Sequence, residues 1–320
     1  MWPALAVGAP RDIAWRVCPN PQLSHTRREV EDLIGRRVDE LSPVPGGLVN
    51  TVYRVASSGQ LFALRIFSRG PQACERERSL LSRLSGILPV PEVVLGGSTF
   101  ILTKWIEGRT ISEQRRSLAP GALLTLASEV GALAARVALV DDASAPPGAK
   151  SDAARFVAES CERLRSGLAR ERLGAALSDA LRERLELTDL PMTKSLVHGD
   201  FGGRNILISA EGKIAGLIDW EDAFPGSPLW DLGSFFRYPQ RFSEAFRSRF
   251  QSAYRGVRDS LPEDWYEAAR SLDAARQVVS LDDPRVAPEV VMDILELLPH
   301  VARTAQLKPH HISPAAGKAT

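Results

Sequence analysis

Hydrophobic and polar residues recur with two different periods along this chain, and the change of period divides it. Thr26-Arg27-Arg28-Glu29 has the form of a capping box, and Val30, Leu33, Ile34, Val38 and Leu41 follow on one helical face until Pro43 and Pro45. The turn Pro45-Gly46-Gly47-Leu48-Val49-Asn50 leads into a strand over Thr51–Val55. Ser57-Ser58-Gly59-Gln60 then turns the chain into a second strand, Leu61–Phe67, which predicts an antiparallel hairpin. Gln72–Leu84 is charged on one side and carries Leu80, Leu81 and Leu84 on the other, a short helix. Val90–Leu95 and Phe100–Ile106, bounded by Pro or Gly, read as two further strands.

After Gly108 the period becomes helical. Leu123, Leu126, Val130, Leu133 and Val137 share a face, as do Val157, Cys161, Leu164 and Leu168, and again Leu173, Leu177, Leu181 and Leu185. Pro146-Pro147-Gly148 separates the first of these helices from the others. Phe242, Phe246, Phe250 and Tyr254 form an aromatic stripe that packs as core, and Trp265–Val279 and Glu289–Leu298 are amphipathic. Two short apolar strands interrupt the helices, Asn205–Ser209 and Ile214–Ile218, joined by Ala210-Glu211-Gly212-Lys213. The expected fold is α+β and two-lobed. A small antiparallel sheet lobe occupies 24–103, a larger and mainly helical lobe 104–303, and the hinge falls near Lys104–Gly108. Residues 1–23 read as an extension, and 304–320 have the composition of a disordered tail.

Composition narrows the function. Lys and Arg number 40 against 39 Asp and Glu, a net charge of +1, so nothing points to nucleic acid. No window of eighteen uninterrupted apolar residues suggests a membrane span. The N-terminus lacks a basic stretch and is broken by Pro3 and Pro10, which makes a poor signal peptide. Cys18, Cys74 and Cys161 are widely spaced, as expected of a cytoplasmic protein, and the five histidines form no metal cluster. Oligomeric state leaves no signal in the sequence.

The chemistry concentrates around the two short strands. Asp200 stands before the first, Asn205 opens it, and Asp219 closes the second. Asp200 and Asn205 are separated by four residues, the spacing with which a kinase loop sets a carboxylate near an acceptor hydroxyl and an amide oxygen near a metal.

Five pieces between Ser42 and Arg237 carry a resemblance: Gly46-Gly47-Leu48-Val49-Asn50, Ala63-Leu64-Arg65-Ile66, Arg76-Glu77, His198-Gly199-Asp200 with Asn205, and Ile218-Asp219-Trp220-Glu221. In these the chain resembles the aminoglycoside phosphotransferase/choline kinase family, which shares the two-lobed fold of protein kinases. The resemblance implies a phosphotransferase that uses ATP and Mg2+. Asp200 would orient the acceptor hydroxyl and take its proton late, while Asn205 and Asp219 would hold magnesium. Gly46 and Gly47 would admit the phosphates close to the backbone, with Asn50 counted in the same nucleotide-binding turn. Arg65 would contact phosphates and pair with Glu77, and backbone groups of Lys104 and Ile106 would meet the adenine.

Two departures carry meaning. Arg65 replaces the usual lysine, a planar fork in place of a point charge. Gly199 stands where protein kinases have the arginine that reads a phosphorylated activation loop, Gly202 stands where they have a lysine, and Asp219 to Asp231 is too short for such a loop. Both point to a small-molecule kinase. His198 reads as a structural residue, and Asp231 as a support for the catalytic loop from a helix start. Arg204 reads equally well as a phosphate contact and as a solvated or paired arginine.

From Asp259 to Glu296 the chain carries Asp259, Glu263, Asp264, Glu267, Asp273, Asp282, Asp283, Glu289, Asp293 and Glu296, against Arg270, Arg276 and Arg285. An acidic wall of this kind would attract a polycationic acceptor such as an aminoglycoside or a basic peptide antibiotic. Its counterpart reading is an ordinary solvated helix surface. The alternative activity is a metabolic kinase for choline, a sugar, an amino acid or a fructosamine, with Trp230, Trp265 and Tyr266 as candidates for a choline cage. A nucleotide-binding pseudokinase or partner-binding module is the alternative of another class, kept open by Arg65.

Overall fold

In the computed structural model, which describes residues 25–45, 50–141, 151–190, 195–209 and 211–304, the first helix stops at Gly35. Helix α1 (Arg27–Ile34) opens on the expected capping box. The Thr26 backbone N–H donates to Glu29 Oε2 at 2.7 Å, and the Thr26 hydroxyl accepts from the Glu29 N–H. Gly35 takes the left-handed conformation (φ 64°), a cheap exit from a helix only for glycine. Val38 and Leu41 therefore do not continue that helix. They leave it as an extended chain, and Leu41 pairs with Val55 in strand β1 (Glu40–Pro43).

The hairpin has strands β2 (Thr51–Ser57) and β3 (Gln60–Ile66) around Ser58-Gly59. Both turn residues have positive φ (52° and 74°), the handedness that matches the twist of the flanking strands. Helix α2 (Pro71–Leu84) follows, with Pro at its first turn, and then β4 (Val93–Gly96) and β5 (Phe100–Lys104). The sheet order is β1-β2-β3-β5-β4, every neighbour antiparallel. Alternate residues face a core of Val30, Ile34, Val38, Tyr53, Val55, Phe62, Leu64, Phe100 and Leu102. A second cluster gathers Phe67, Ala73, Cys74 and Ile101.

The chain divides into two compact units. One contains the described residues up to Glu107 together with Gly216–Glu221. The other contains those of Gly108–Ala215 and from Asp222 onward. The expected boundary kept 104–303 in one piece, whereas Gly216–Glu221 groups with the sheet. Leu217 donates to the Pro89 carbonyl at 2.7 Å, and Gly216 lies so close to Ile106 that a Cβ there would meet its Cδ1 at 2.6 Å.

The second unit begins with β6 (Arg109–Thr110), α3 (Ile111–Gln114) and the long α4 (Pro120–Leu139). Helices α5 (Ala153–Ser166), α6 (Leu168–Leu173) and α7 (Ala175–Glu186) are separated by Gly167 and Gly174. Two small sheets follow. Strand β7 (Ser195–Val197) pairs with β10 (Phe224–Gly226), and the other sheet has the order β6-β8-β9, where β8 is Ile206–Ile208 and β9 is Ile214–Leu217. The chain continues through α8 (Leu229–Phe235), α9 (Glu244–Val257), α10 (Trp265–Asp282) and α11 (Pro288–Thr304). The aromatic stripe packs as core, with Phe246, Phe250 and Tyr254 buried and Phe235 and Phe236 against them. By length and composition α4 is apolar enough to cross a membrane, yet half of its most apolar window is buried in the fold. The Gly46-Gly47 turn, the extension, the Pro146-Pro147-Gly148 separator and the tail lie outside the described residues.

Candidate active site

Strand β7 delivers the chain to His198 and Gly199, and three side chains then fix the backbone around them. Asp231, in the first turn of α8, is buried and accepts from the His198 N–H through Oδ2 (2.8 Å) and from the Gly199 N–H through Oδ1 (3.0 Å). The Asp200 N–H donates to His198 Nδ1 at 3.2 Å, which makes Nδ1 the acceptor nitrogen and gives His198 a structural role. Arg276, on α10, donates to the Gly199 carbonyl at 2.7 Å. Gly199 has φ 84°, and a Cβ there would meet the Asp222 carbonyl oxygen at 2.2 Å. Only glycine fits.

Asp200 Oδ2 receives three hydrogen bonds: from Arg204 Nη2 (2.8 Å), Arg204 Nε (3.2 Å) and Asn205 Nδ2 (2.8 Å). Burial pushes this carboxyl up, but the Arg204 charge and hydrogen bond, then Arg276 and His198, together hold it below the ordinary carboxylate range. It is an ionised acceptor with one saturated oxygen. The Asn205 nitrogen also donates to the Asp200 carbonyl at 2.8 Å, so the amide oxygen of Asn205 is turned away from Asp200. At Asp231 the compensation falls short of the burial. Burial pushes it up to about 7 against its two N–H donors and the Arg276 charge.

The first unit holds a second cluster. Arg65, on β3, reaches Glu77 Oε1 of α2 through Nη1 (3.1 Å). Its Nη2 lies 2.5 Å from Asp219 Oδ1 and 3.5 Å from Glu221 Oε2. Asp219 itself is left-handed (φ 69°), an uncommon conformation for a non-glycine residue. Burial pushes Glu77 up to about 7, since the Arg65 charge that lowers it is opposed by Asp219 and Glu221. Burial also works against the charge on Arg65, but the three carboxylates outweigh it and raise its pKa. Arg69 adds a second cation 3.9 Å from Glu221. The cluster keeps an excess of hard oxygen donors.

These donors fit magnesium in chemistry. Among the described residues no group of three or more His, Cys, Asp or Glu side chains makes a metal cage alone. Magnesium does not need one, because it takes one or two protein oxygens and completes its shell with phosphate and water. The Asp219 carboxylate of this cluster is a donor of that kind, and in the other unit the Asn205 amide oxygen is another.

Other expected residues behave differently. Gly46 and Gly47 lie outside the described residues. Asn50 is buried with both ends of its amide spent inside the protein. Its nitrogen donates to Glu221 Oε2 (2.6 Å) and its oxygen accepts from the Ser68 N–H (3.2 Å). The Lys104 amide donates to the Glu92 carbonyl (2.9 Å), so of the Lys104 backbone groups the carbonyl is the one left for the expected adenine contact beside Ile106. A choline cage is excluded at the expected place. Trp230 is buried against Phe156 and Phe224, Trp265 against Phe236 and Phe250, and Arg247 covers the Tyr266 ring.

Half of the acidic residues named between Asp259 and Glu296 are engaged by other side chains of the protein. Asp273 pairs with Arg237, Asp282 with Arg163, Asp283 with Arg285 and Glu267 with Arg184, and Asp293 accepts from the Tyr238 hydroxyl. The expected acidic wall is to that extent neutralised from within.

Sequence reasoning assigns no role to Glu221, Arg69, Arg237 or Arg276. The available signal for the last two is on α10, where Asp273, Arg276 and Gln277 interrupt a helix otherwise built largely of buried small and apolar residues.

The model of the phosphotransferase enzyme family (APH) matches residues 40–269. Among curated relatives, hygromycin-B 4-O-kinase of Escherichia coli is 26% identical over 166 residues, 48% of either chain. Viomycin phosphotransferase of Streptomyces vinaceus is 36% identical over 74 residues, 20% of this chain and 26% of the relative. The chain thus spans at most about half the length of these relatives. Among solved structures, a macrolide 2'-phosphotransferase from Brachybacterium faecium superposes with a TM-score of 0.65 at 20% identity, covering 88% of this chain and 97% of that one. The gentamicin complex of APH(2")-IIa gives 0.64 at 18%, covering 87% and 97%. At these identities the structures establish a shared protein-kinase-like fold. The family match extends over most of the chain and includes both clusters around Arg65 and Asp200, and on that ground the chain belongs to the phosphotransferase enzyme family.

Proposed function

We propose that this chain transfers the γ-phosphoryl group of ATP to a hydroxyl of a small polar antibiotic. The observation that carries the reading is Asp200, an ionised carboxylate whose Oδ2 is saturated by Arg204 and Asn205. Its other oxygen, Oδ1, then orients the acceptor hydroxyl and takes the proton late, as the hydroxyl oxygen bonds to Pγ and the bond from Pγ to the ADP oxygen breaks. Magnesium, when bound, supplies charge neutralisation on the phosphate oxygens, with Asn205 and Asp219 as its protein ligands. Arg65 contacts the nucleotide phosphates, and Glu77 holds its guanidinium in place. Buried free thiols at Cys74 and Cys161 agree with a reducing cytoplasm, where ATP is available.

The relatives' names support an antibiotic acceptor, and they include a macrolide as well as aminoglycosides. The internally paired acids of α10 and α11 give a polycation no special support. The pseudokinase reading keeps one observation, the Arg65 fork closed on Asp219. A thermal-shift titration with ATP, with and without Mg2+, separates the two classes, and an ATP-consumption screen over hygromycin B, viomycin, gentamicin, a macrolide and choline finds the acceptor. Magnesium-dependent stabilisation and turnover with one antibiotic are expected. Absence of both leaves the binding module.

A further inference from the structure

The Gly199–Asp200 peptide is the last link before the carboxylate, and glycine makes it the link most able to rotate. Asp231 holds the two amides before it, those of His198 and Gly199. It does not touch the Gly199–Asp200 peptide. That peptide is gripped from elsewhere, by His198 Nδ1 on its N–H and by Arg276 on its carbonyl. The guanidinium therefore blocks a flip that a loop without a side chain at position 199 would otherwise permit.

The two clamps come from different helices, Asp231 from α8 and Arg276 from α10. Their spacing is set by a close approach: a Cβ on Gly233 of α8 would lie 2.3 Å from the Ala269 carbonyl oxygen of α10 and 3.0 Å from the Asp273 Cβ. Helix α10 is itself anchored, since Asp273 receives Arg237 through two of its nitrogens. The loop is thus held by a carboxylate and a guanidinium on two helices packed at backbone distance.

We propose that Arg276 is a positioning residue for phosphoryl transfer, acting through the Gly199 carbonyl to fix the direction of the Asp200 carboxylate. The proposal rests on the reading of Asp200 as the acceptor-orienting group. A charge-assisted hydrogen bond of this kind biases a peptide between two orientations by about 10- to 100-fold. Arg276 touches no reacting atom in this role.

The test compares Arg276→Met and Arg276→Lys with Arg285→Met, which removes an exposed arginine elsewhere, and with Asp200→Asn. Amide hydrogen exchange of the 198–200 segment is expected to quicken about tenfold in Arg276→Met and to stay at the wild-type rate in Arg285→Met. ADP release from MgATP, with water as acceptor, is expected to lose about 100-fold in kcat with KM for ATP within about twofold. Lysine, which still donates one charged hydrogen bond, restores a large part of both. Should Arg276→Met fail to fold, Arg276→Gln carries the same comparison. If Asp200→Asn keeps its ATP turnover, the reading of Asp200 itself is wrong. If Asp200→Asn is inactive while Arg276→Met leaves either loop exchange or kcat at the wild-type value, the positioning role is overturned.

Discussion

Arg65 Nη2 lies 2.5 Å from Asp219 Oδ1, while Nη1 of the same guanidinium lies 3.1 Å from Glu77 Oε1. One planar fork thus ties β3 to acidic side chains on α2 and on the segment after β9. Glu77 is 4% exposed, so removing the cation strands a buried carboxylate. Arg65→Ala is expected to cost about 3–5 kcal/mol in chemical denaturation, the range for a broken buried pair. Arg65→Lys loses less, because an ammonium keeps the charge but cannot span Glu77 and Asp219 together. Adding Glu77→Gln to Arg65→Ala should recover part of the loss. If the double variant is no more stable than Arg65→Ala, stranding of Glu77 is not the cause.

The loop between β7 and β8 contains glycines with opposite tolerances. At Gly199 an added methyl meets the Asp222 carbonyl oxygen at 2.2 Å on a left-handed backbone, whereas at Gly202 the nearest atom is 3.9 Å away. Left-handed strain alone costs an L-residue about 1–2 kcal/mol, and overpacking adds about 1–3 kcal/mol. Gly199→Ala is therefore expected to lower the urea midpoint strongly and to abolish ATP turnover, and Gly202→Ala to leave the midpoint near wild type. Equal stability of the two variants would remove the argument from Gly199.

What is legible in the sequence follows the range of the interactions. Ser58-Gly59 announces the β2–β3 turn through two adjacent residues, and Asp200 and Asn205 announce the hydrogen-bonded loop between β7 and β8 through a fixed local spacing. The stop at Gly35 is a local signal masked by Val38 and Leu41, which sit at helical spacing yet pack on the same core from an extended chain. Strands β7 and β10 are three residues each, too short for a period to show, and they become visible only when Phe224–Gly226 is set beside Ser195–Val197. Asp273 reads as surface acid because its partner, Arg237, is 36 residues away. Arg276 is hidden for the same reason, its acceptor Gly199 being 77 residues distant.

Stability should fall as pH rises through neutrality. Burial pushes Glu77 from an ordinary 4.5, and Asp231 from 3.8, up to about 7 in each case. A carboxyl with a higher pKa when folded binds its proton more tightly in the native state. Its contribution is complete below the unfolded pKa and is lost as pH climbs through the folded one. The window runs from about pH 4 to about pH 7. Asp200, held low, works in the opposite direction but only at the acid edge of that window, where the unfolded carboxyl titrates. Urea midpoints measured between about pH 5 and about pH 8 should decline for the wild type and decline less for Glu77→Gln, whose amide oxygen can still accept from Arg65. An unchanged slope in Glu77→Gln would assign the decline to Asp231 or Glu221.

If Asp200 orients the acceptor as proposed, its pair with Arg204 matters for turnover more than for stability. The arginine side chain is 43% exposed and the carboxylate 15%. An ion pair this open to water contributes under about 1 kcal/mol, so Arg204→Ala should leave the melting temperature within a few degrees of wild type. The same change removes two of the three donors on Asp200 Oδ2 and the first of the charges that hold the carboxyl ionised. Loss of one preorganised donor at a reacting group costs about 100- to 1,000-fold in kcat, and a loss of that order in ATP turnover is expected here. Arg204→Lys keeps the charge but offers one donor group in place of a fork, and should fall between the two. Steady-state kinetics measured beside thermal melting decides the matter: activity falling at constant stability places Arg204 in the reaction, and the two falling together would make it a structural residue of the loop.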